Sequence, residues 1–303
     1  MVTATKALGE VLAQRAGDRL PARANQIVIG LVGRGIGASL SPVMHEEEGR
    51  RLGLDYAYHL IDFDQLGLAD DDLAAVLRTA RELGFAGLNV TYPFKQAILP
   101  LLDVVAPEAA GIGAVNTVVF GRQSTGHNTD SWGFSESLRR DLAGADLSSV
   151  LMVGAGGAGA AVARAVLQSG ARELTIFDTE PHRARALAAR LTAQFPAPVG
   201  CAEELDAAVS AASGLVNATP VGMHKYPGSP FDTRLLRREQ WVADVVYFPL
   251  ETELIRDARA LGCRVLTGGG MAVFQAVRAF ELFTGATPDP EAMHRTFLEA
   301  LRR

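Results

Sequence analysis

The sequence predicts an α/β fold in two domains. Three observations carry that prediction. Apolar, β-branched runs alternate with amphipathic segments along the whole chain, the pattern of strands joined by helices. Residues 150–178 form one complete strand–turn–helix–strand unit, with Gly154-x-Gly156-x-x-Gly159 at its turn. The chain has 303 residues, 48% of them hydrophobic, which is enough for two domains with real cores.

The glycine unit organises the second domain. The run 150–153 suits a buried parallel strand. Gly154 permits a tight turn, Gly156 lets a pyrophosphate approach the backbone, and Gly159 lets the helix pack close to the strand. The helix N-terminus then offers free amides and partial positive charge, with Ala155, Gly157 and Ala158 completing the turn. Gly170 sits where a helix C-terminal glycine belongs. Asp178 lies about 20 residues on, the offset at which an acid grips a ribose 2′-hydroxyl. A carboxylate there repels a 2′-phosphate, so it favours NAD over NADP. Arg183 and Arg185 follow closely, and either has the reach for a phosphate, so the residues alone leave NADP open. A glycine-rich turn that binds nothing is the competing reading.

The other elements follow in order. Residues 26–32 predict a first strand. The loop 33–42 is rich in glycine and serine. Residues 43–52 predict a helix, with Ser41 as cap and Pro42 at its first position. Residues 56–63 predict a strand, 68–83 a helix stopped by Gly84, and 87–90 a short strand. Helix resumes over 95–102, and 115–120 is another strand. The polar segment 126–134 leads into a helix at 132–142. Beyond Asp178 come a helix at 181–192, a strand near Val199, and buried strands at 214–217 and 241–247. A helix near 252–261, a strand at 264–266, a break at Gly268-Gly269-Gly270 and a helix at 271–284 complete the chain. The crossings between domains are expected near Asp130 and Gly268. That gives a substrate domain of 1–129 plus 268–303, completed by C-terminal helices, and a Rossmann-type domain of 130–267.

Composition narrows the function class. The net charge of −5 argues against nucleic acid or an anionic membrane as main partner. No apolar stretch reaches the length of a membrane span. The N-terminal twenty residues carry Glu10, Arg15 and Asp18 and no continuous apolar core, so they read as a short amphipathic helix or arm, not a secretory signal. Cys201 and Cys263 form no metal or redox motif, which suits two buried thiols in a cytoplasmic setting. The residues leave monomer and homodimer open.

A nicotinamide enzyme needs a group that takes or gives a proton. Lys95 is the leading candidate: it follows a proline turn at the start of a helix, just past an apolar strand. Helix N-termini and partial burial favour the neutral form of a lysine, which suits acid/base work. An ordinary surface lysine is the alternative. Asp130 lies in the polar knot Asn128-Thr129-Asp130, where a helix cap is the alternative. Asn89 and Asn116 end apolar strands, where clefts of α/β sheets open; a satisfied turn amide is the plainer reading. Ser39 and Ser41 can hold a carboxylate, although Ser41 has its capping role. His45 reads as a helix-surface or packing residue rather than a catalyst. No Ser-His-Asp order, zinc motif or cysteine nucleophile is present.

Taken together, these pieces resemble the shikimate dehydrogenase family, and within it the quinate/shikimate branch, from about Ile27 to Gly285. The matching motifs, in order, are Ser39-Leu-Ser41-Pro42-x-x-His45, Asn89-Val-Thr91-x-Pro93-x-Lys95, Gly113-Ala-Val-Asn116-Thr117 and Asn128-Thr129-Asp130. The glycine turn follows, then Asn217-Ala-Thr219-Pro220-x-Gly222-Met223, Asp244-x-x-Tyr247-x-Pro249-x-x-Thr252 and Gly270-Met271-x-x-x-Gln275-Ala276. The resemblance implies reversible oxidation of a ring hydroxyl in a small hydroxy acid, with hydride passing to the nicotinamide. It implies that Lys95 and Asp130 form a proton-handling dyad and that Ser39 and Ser41 hold the substrate carboxylate. Asn89, Thr91, Asn116 and Gln275 would bond ring hydroxyls, with Tyr247 closing near the carboxylate. Asn217, Ala218, Thr219, Val245 and Gly268 would line the cofactor, in a cleft between the domains.

Three places depart from the common biosynthetic pattern. Ala38 stands where histidine is usual, and Glu46 where asparagine often follows His45. Phe177-Asp178-Thr179 replaces the Asn-Arg-Thr that usually receives the 2′-phosphate of NADP. The last points to NAD. The expected activity is therefore an NAD-preferring dehydrogenase of shikimate, and of quinate. The alternatives are a relative acting on another cyclic hydroxy acid such as aminoshikimate, and a silent NAD-binding regulatory paralogue, which should have lost Lys95 or Asp130.

Overall fold

The computed structural model describes residues 26–302 together with Gly9, which is helical. The rest of the amphipathic N-terminal segment expected above lies outside the described residues. The chain divides into two compact units, Met1–Thr129 with Ala276–Arg303, and Asp130–Gln275. The return crossing lies within a helix, Gly268–Thr284.

The first unit is built on a mixed sheet of β1 (Ile27–Gly33), β2 (Tyr56–Asp62), β3 (Gly87–Val90), β4 (Val104–Val105), β5 (Thr117–Phe120) and β6 (Ser124–His127). Their order is β2-β1-β3-β5-β6-β4. β1 runs parallel to β2 and β3, and β5 is antiparallel to both β3 and β6. Both faces of β1 are buried, as the continuous apolar run requires. Alternation sends Val28 and Val32 to one core, with Phe63, Leu77, Leu88 and Phe94. Ile29 and Leu31 face the other, with Tyr58, Ala279 and Phe283. The second core is thus closed by the C-terminal helices. Helix Pro290–Ala300 packs on helix Ser41–Arg51, and the Asp289 amide donates to the buried Glu48 carboxylate at 2.7 Å.

The second unit has six described strands, all parallel: β7 (Val150–Val153), β8 (Leu174–Phe177), β9 (Val199–Cys201), β10 (Gly214–Asn217), β11 (Trp241–Asp244) and β12 (Arg264–Leu266). Their order is β12-β11-β10-β7-β8-β9. The winding reverses between β7 and β10, and ligands of such sheets bind at the carboxyl ends of the strands beside that reversal. The glycine turn follows β7. Helix Gly157–Gln168 leaves it, and Gly170, at φ +97°, ends that helix with the Ala171 amide returning to the Val166 carbonyl.

Several expectations need correction. Ser41 is the first helical residue, not a cap: the cap position is Leu40, and no side chain caps there. The helix expected over 68–83 is a 3₁₀ turn, Asp70–Asp72, followed by Leu73–Glu82. The helix expected over 95–102 is two single turns, Phe94–Ala97 and Leu99–Leu101, the second holding Pro100. The helix-terminus argument for Lys95 therefore has no long helix behind it. The triple glycine is no break. Gly268 opens its helix against the carbonyls of Val245 and Val246, and Gly270 lies on Ser137, leaving no room for a Cβ at either. β11 stops at Asp244 rather than at Tyr247. Cys201 is exposed; only Cys263 is a buried thiol.

Phe280 is fully buried and stacks on Tyr56, centroids 5.1 Å apart. Phe280→Ala should cost about 3–5 kcal/mol of stability in the first unit, read by urea unfolding. A loss below about 1 kcal/mol would contradict this account of how the C-terminal helices close the core.

Candidate functional site

In the first unit the polar residues gather at the carboxyl ends of β1 and β3 and the start of β5. The loop after β1 carries Ser39 and delivers Ser41 at the first position of helix Ser41–Arg51. It is fastened from beneath by Asp62, the buried last residue of β2, whose carboxylate accepts the amides of Gly35 at 3.0 Å and Ile36 at 2.9 Å. Arg34 fastens its flank to Asp64 and Asp70, both at 2.6 Å, and to the Leu68 carbonyl. The loop after β3 lies beside it. The Arg34 amide donates to the Tyr92 carbonyl, and a Cβ on Gly33 would strike the Thr91 methyl. Ser39, Ser41, Thr91 and Lys95 are all half-buried on these two loops. The Lys95 carbonyl accepts the Val115 amide at 2.8 Å, which ties the lysine's backbone to the strand entering Asn116.

Asn89 and Asn116 are buried in one hydrogen-bonded chain. Tyr58 donates to Asn89 Oδ1 at 2.8 Å, and Asn89 Nδ2 donates to Thr117 Oγ1 at 3.0 Å. Thr117 donates to Asn116 Oδ1, and Asn116 Nδ2 to Thr129 Oγ1, both at 3.0 Å. His45 is a packing residue, as expected. It is fully buried among Tyr56, Tyr58, Phe280 and Phe283, and burial pushes its pKa down to about 3.

In the second unit the carboxyl ends of the strands present the residues expected at a dinucleotide. Gly154, at φ +104°, follows β7 and lies against the Ala218 backbone across the reversal of the sheet. Gly156 is exposed with open space around it, and a Cβ on Gly159 would run into the Gly154 carbonyl. No side chain caps helix Gly157–Gln168, so nothing of the protein's own takes the place of a phosphate there. Asp178 follows β8, accepts the Ala155 amide at 2.7 Å and the Glu180 amide at 2.9 Å, and keeps further lone pairs for a ribose. Arg183 pairs with Glu180 at 2.8 Å. Val245 and Gly268 meet beyond β11 and β12. These residues fit a nicotinamide dinucleotide.

Two profiles of known families match the chain. The shikimate dehydrogenase substrate binding domain covers residues 31–118, and the shikimate 5′-dehydrogenase C-terminal domain covers residues 268–296. The shikimate dehydrogenase (NADP(+)) of Streptomyces avermitilis is 53% identical over 271 residues, spanning 88% of this chain and 93% of its own. The quinate/shikimate dehydrogenase (NAD(+)) of Corynebacterium efficiens is 48% identical over 279 residues, spanning 90% and 98%. A solved structure, quinate dehydrogenase from Corynebacterium glutamicum in complex with NAD, superposes with a TM-score of 0.86 at 47% identity, over 91% of this chain and all of the other.

The chain belongs to the shikimate dehydrogenase family. Its members named above are oxidoreductases, and several sequence motifs of the resemblance fall at the strand ends just described.

The remaining family positions sit in the second unit. Asp130 is buried in the first turn of helix Thr129–Asp141, inside the helix rather than capping it. Desolvation, then the charge of Asp130, push the Tyr247 phenol above its ordinary value. Gln275 donates to the Ala272 carbonyl at 2.9 Å, and its backbone lies against Gly133 of the Asp130 helix.

Asp62 and Tyr58 were not singled out from sequence, and Asp244 entered only as a member of a matching motif, with no role given. Asp244 is buried at the end of β11. It accepts from Asn217 Nδ2 and the Val246 amide, each at 2.9 Å, and from Thr252 at 2.7 Å. Asn217 Oδ1 in turn holds Thr219. A pattern of Asp followed eight residues later by a helix-capping Thr was the available signal. Thr252 caps helix Glu253–Leu261. No described helix is long and apolar enough to cross a membrane.

Burial raises the Asp244 carboxyl to about 6, against the opposing hydrogen bonds. The folded state therefore favours the protonated form. The stability this confers is complete below the ordinary carboxyl range and is lost as pH rises through about 6. Relative to Asp244→Asn, the wild type should lose up to about 3 kcal/mol between about pH 4 and about pH 7.5. A stability difference independent of pH would refute this environment for Asp244.

Proposed function

We propose that the protein is an NAD-preferring dehydrogenase that reversibly oxidises the ring hydroxyl of shikimate, and of quinate, to the ketone. Asp178 is the observation that carries the cofactor half of this reading. Its carboxylate is held on the Ala155 amide, at the strand end where a 2′-phosphate would need a cation. Arg183, one of the two arginines with reach for a phosphate, is engaged by Glu180. The NAD-bound Corynebacterium quinate dehydrogenase supports the same choice. The NADP-named Streptomyces relative is the counterweight, and the Asp178 argument outweighs it here because it concerns the group that contacts the ribose.

On this reading Ser39 and Ser41 hold the substrate carboxylate through hydroxyl donors. Asn89, Thr91, Asn116 and Gln275 bond the ring hydroxyls, and Tyr247 closes over the carboxylate end. Lys95 accepts the proton of the reacting hydroxyl during oxidation and returns it during reduction. Asp130 stabilises the lysine's charged form and keeps its amine aimed. The bound nicotinamide supplies the hydride acceptor. Gly154 to Gly159, Asn217, Ala218, Thr219, Val245 and Gly268 hold the dinucleotide. A cytoplasmic setting accords with the two free thiols.

Lys95→Ala should lower kcat by roughly 10²–10⁴-fold while NAD binding by calorimetry stays within about threefold. Activity close to wild type would remove Lys95 from the chemistry. Asp178→Ala should cut the NAD-over-NADP ratio of kcat/KM by at least about tenfold. An unchanged ratio would assign the preference to another residue.

A further inference from the structure

The Tyr58 hydroxyl lies between two groups that the proposed function assigns to different parts of the substrate. It donates to Asn89 Oδ1 at 2.8 Å. The Ser41 side chain also acts on this phenol, opposing the effect of its burial. Ser41 opens helix Ser41–Arg51, Asn89 lies on β3 and Tyr58 on β2, so the phenol faces residues from three elements.

The consequence for Asn89 follows from counting donors and acceptors. An amide offers two N–H donors and one carbonyl with two lone pairs. Both donors point into the protein, one to Thr117 Oγ1 at 3.0 Å and one to the Asn116 carbonyl at 3.3 Å. One carbonyl lone pair is taken by Tyr58. A rotation of the amide by a half-turn would set its oxygen against the Asn116 carbonyl, which can only accept, and would lose the Tyr58 hydrogen bond to Oδ1. The network therefore allows one orientation. Asn89 keeps a single open function, the second lone pair of Oδ1.

We infer that Tyr58 is a positioning residue for substrate recognition, fixing the Asn89 amide so that it presents an acceptor to a ring hydroxyl of the substrate. Tyr58 does not touch the reacting atoms. Its ring is packed against His45, centroids 4.9 Å apart, which holds the phenol in place. Burial also pushes the phenol pKa far above its ordinary value, so the hydroxyl remains a donor across the working range of pH. The inference rests on the functional reading given above and extends it from the residues that contact substrate to the one that orients them.

The test is steady-state kinetics of the purified full chain, with shikimate and quinate as substrates and NAD as cofactor. Tyr58→Phe keeps the packed ring and removes only the hydroxyl. It should raise KM for the acid about tenfold, leave kcat within about threefold, and leave KM for NAD unchanged. Asn89→Ala should raise KM for the acid on its own. Adding Tyr58→Phe to it should change KM by less than about twofold, because the phenol acts through the amide. A Tyr58→Phe enzyme with a lowered melting temperature but an unaltered KM would make Tyr58 a packing residue and overturn the inference, as would full additivity with Asn89→Ala. Should Tyr58→Phe not fold, Thr117→Val, which removes the other side-chain partner of the amide, carries the same expectation and the same refutation. A wild-type chain that turns over neither acid overturns the functional reading and this inference together, whereas an active wild type with an unaltered Tyr58→Phe KM overturns the inference alone.

Discussion

A carboxylate at the end of one strand, accepting hydrogen bonds from the loop of the strand beside it, recurs in both units, and the candidate site depends on it. Asp62 at the end of β2 holds the amides of Gly35 and Ile36 in the loop after β1. Asp178 beyond β8 holds the Ala155 amide in the turn after β7. Asp244 at the end of β11 holds Asn217 at the end of β10. In each case the loop would otherwise leave buried or half-buried donors unpaired, at a cost of about 1–3 kcal/mol for each group. A fixed loop also places side chains without help from the ligand. The serines after β1, the glycine turn after β7 and the Thr219 loop after β10 are each seated in this way.

The same interaction explains why the three acids differ chemically. Asp62 receives backbone amides of its own and the neighbouring loop and is wholly buried. Asp244 is as deeply buried, yet three donors fail to offset its desolvation, so it holds its proton to about pH 6. Asp178 is only half-buried and keeps lone pairs free. One structural device thus yields two structural acids and one that remains available to a ribose.

Much of this was legible in the sequence. Strands buried on both faces write themselves as short apolar runs, and Gly87–Val90, Val150–Val153 and Gly214–Asn217 fall where they were expected, as does the less buried Arg264–Leu266. The glycine turn was legible because each glycine has its own steric reason. Other elements carried no such signal. β6 is the polar stretch Ser124–His127, a strand through its pairing with β5 on one side and β4 on the other. Helices Pro107–Ile112, Leu205–Ala211 and Pro290–Ala300 were not assigned at all. Gly268-Gly269-Gly270 has poor helix propensity, but close packing against Val245, Val246 and Ser137 overrides it. The contact residues of the candidate site were readable as polar residues at strand ends. The residues that hold them were not, because an aromatic in a strand such as Tyr58 reads as core, and Asp62 lay inside a run read simply as strand.

The central claim is the pairing of NAD with a cyclic hydroxy acid, and it is tested most directly by initial rates of the purified protein. Shikimate and quinate would each be offered with NAD and with NADP, and reduced nicotinamide followed by absorbance. The account predicts turnover of both acids with NAD, and little with NADP. Turnover of shikimate alone, with NADP alone, would contradict it and take the cofactor argument from Asp178 with it.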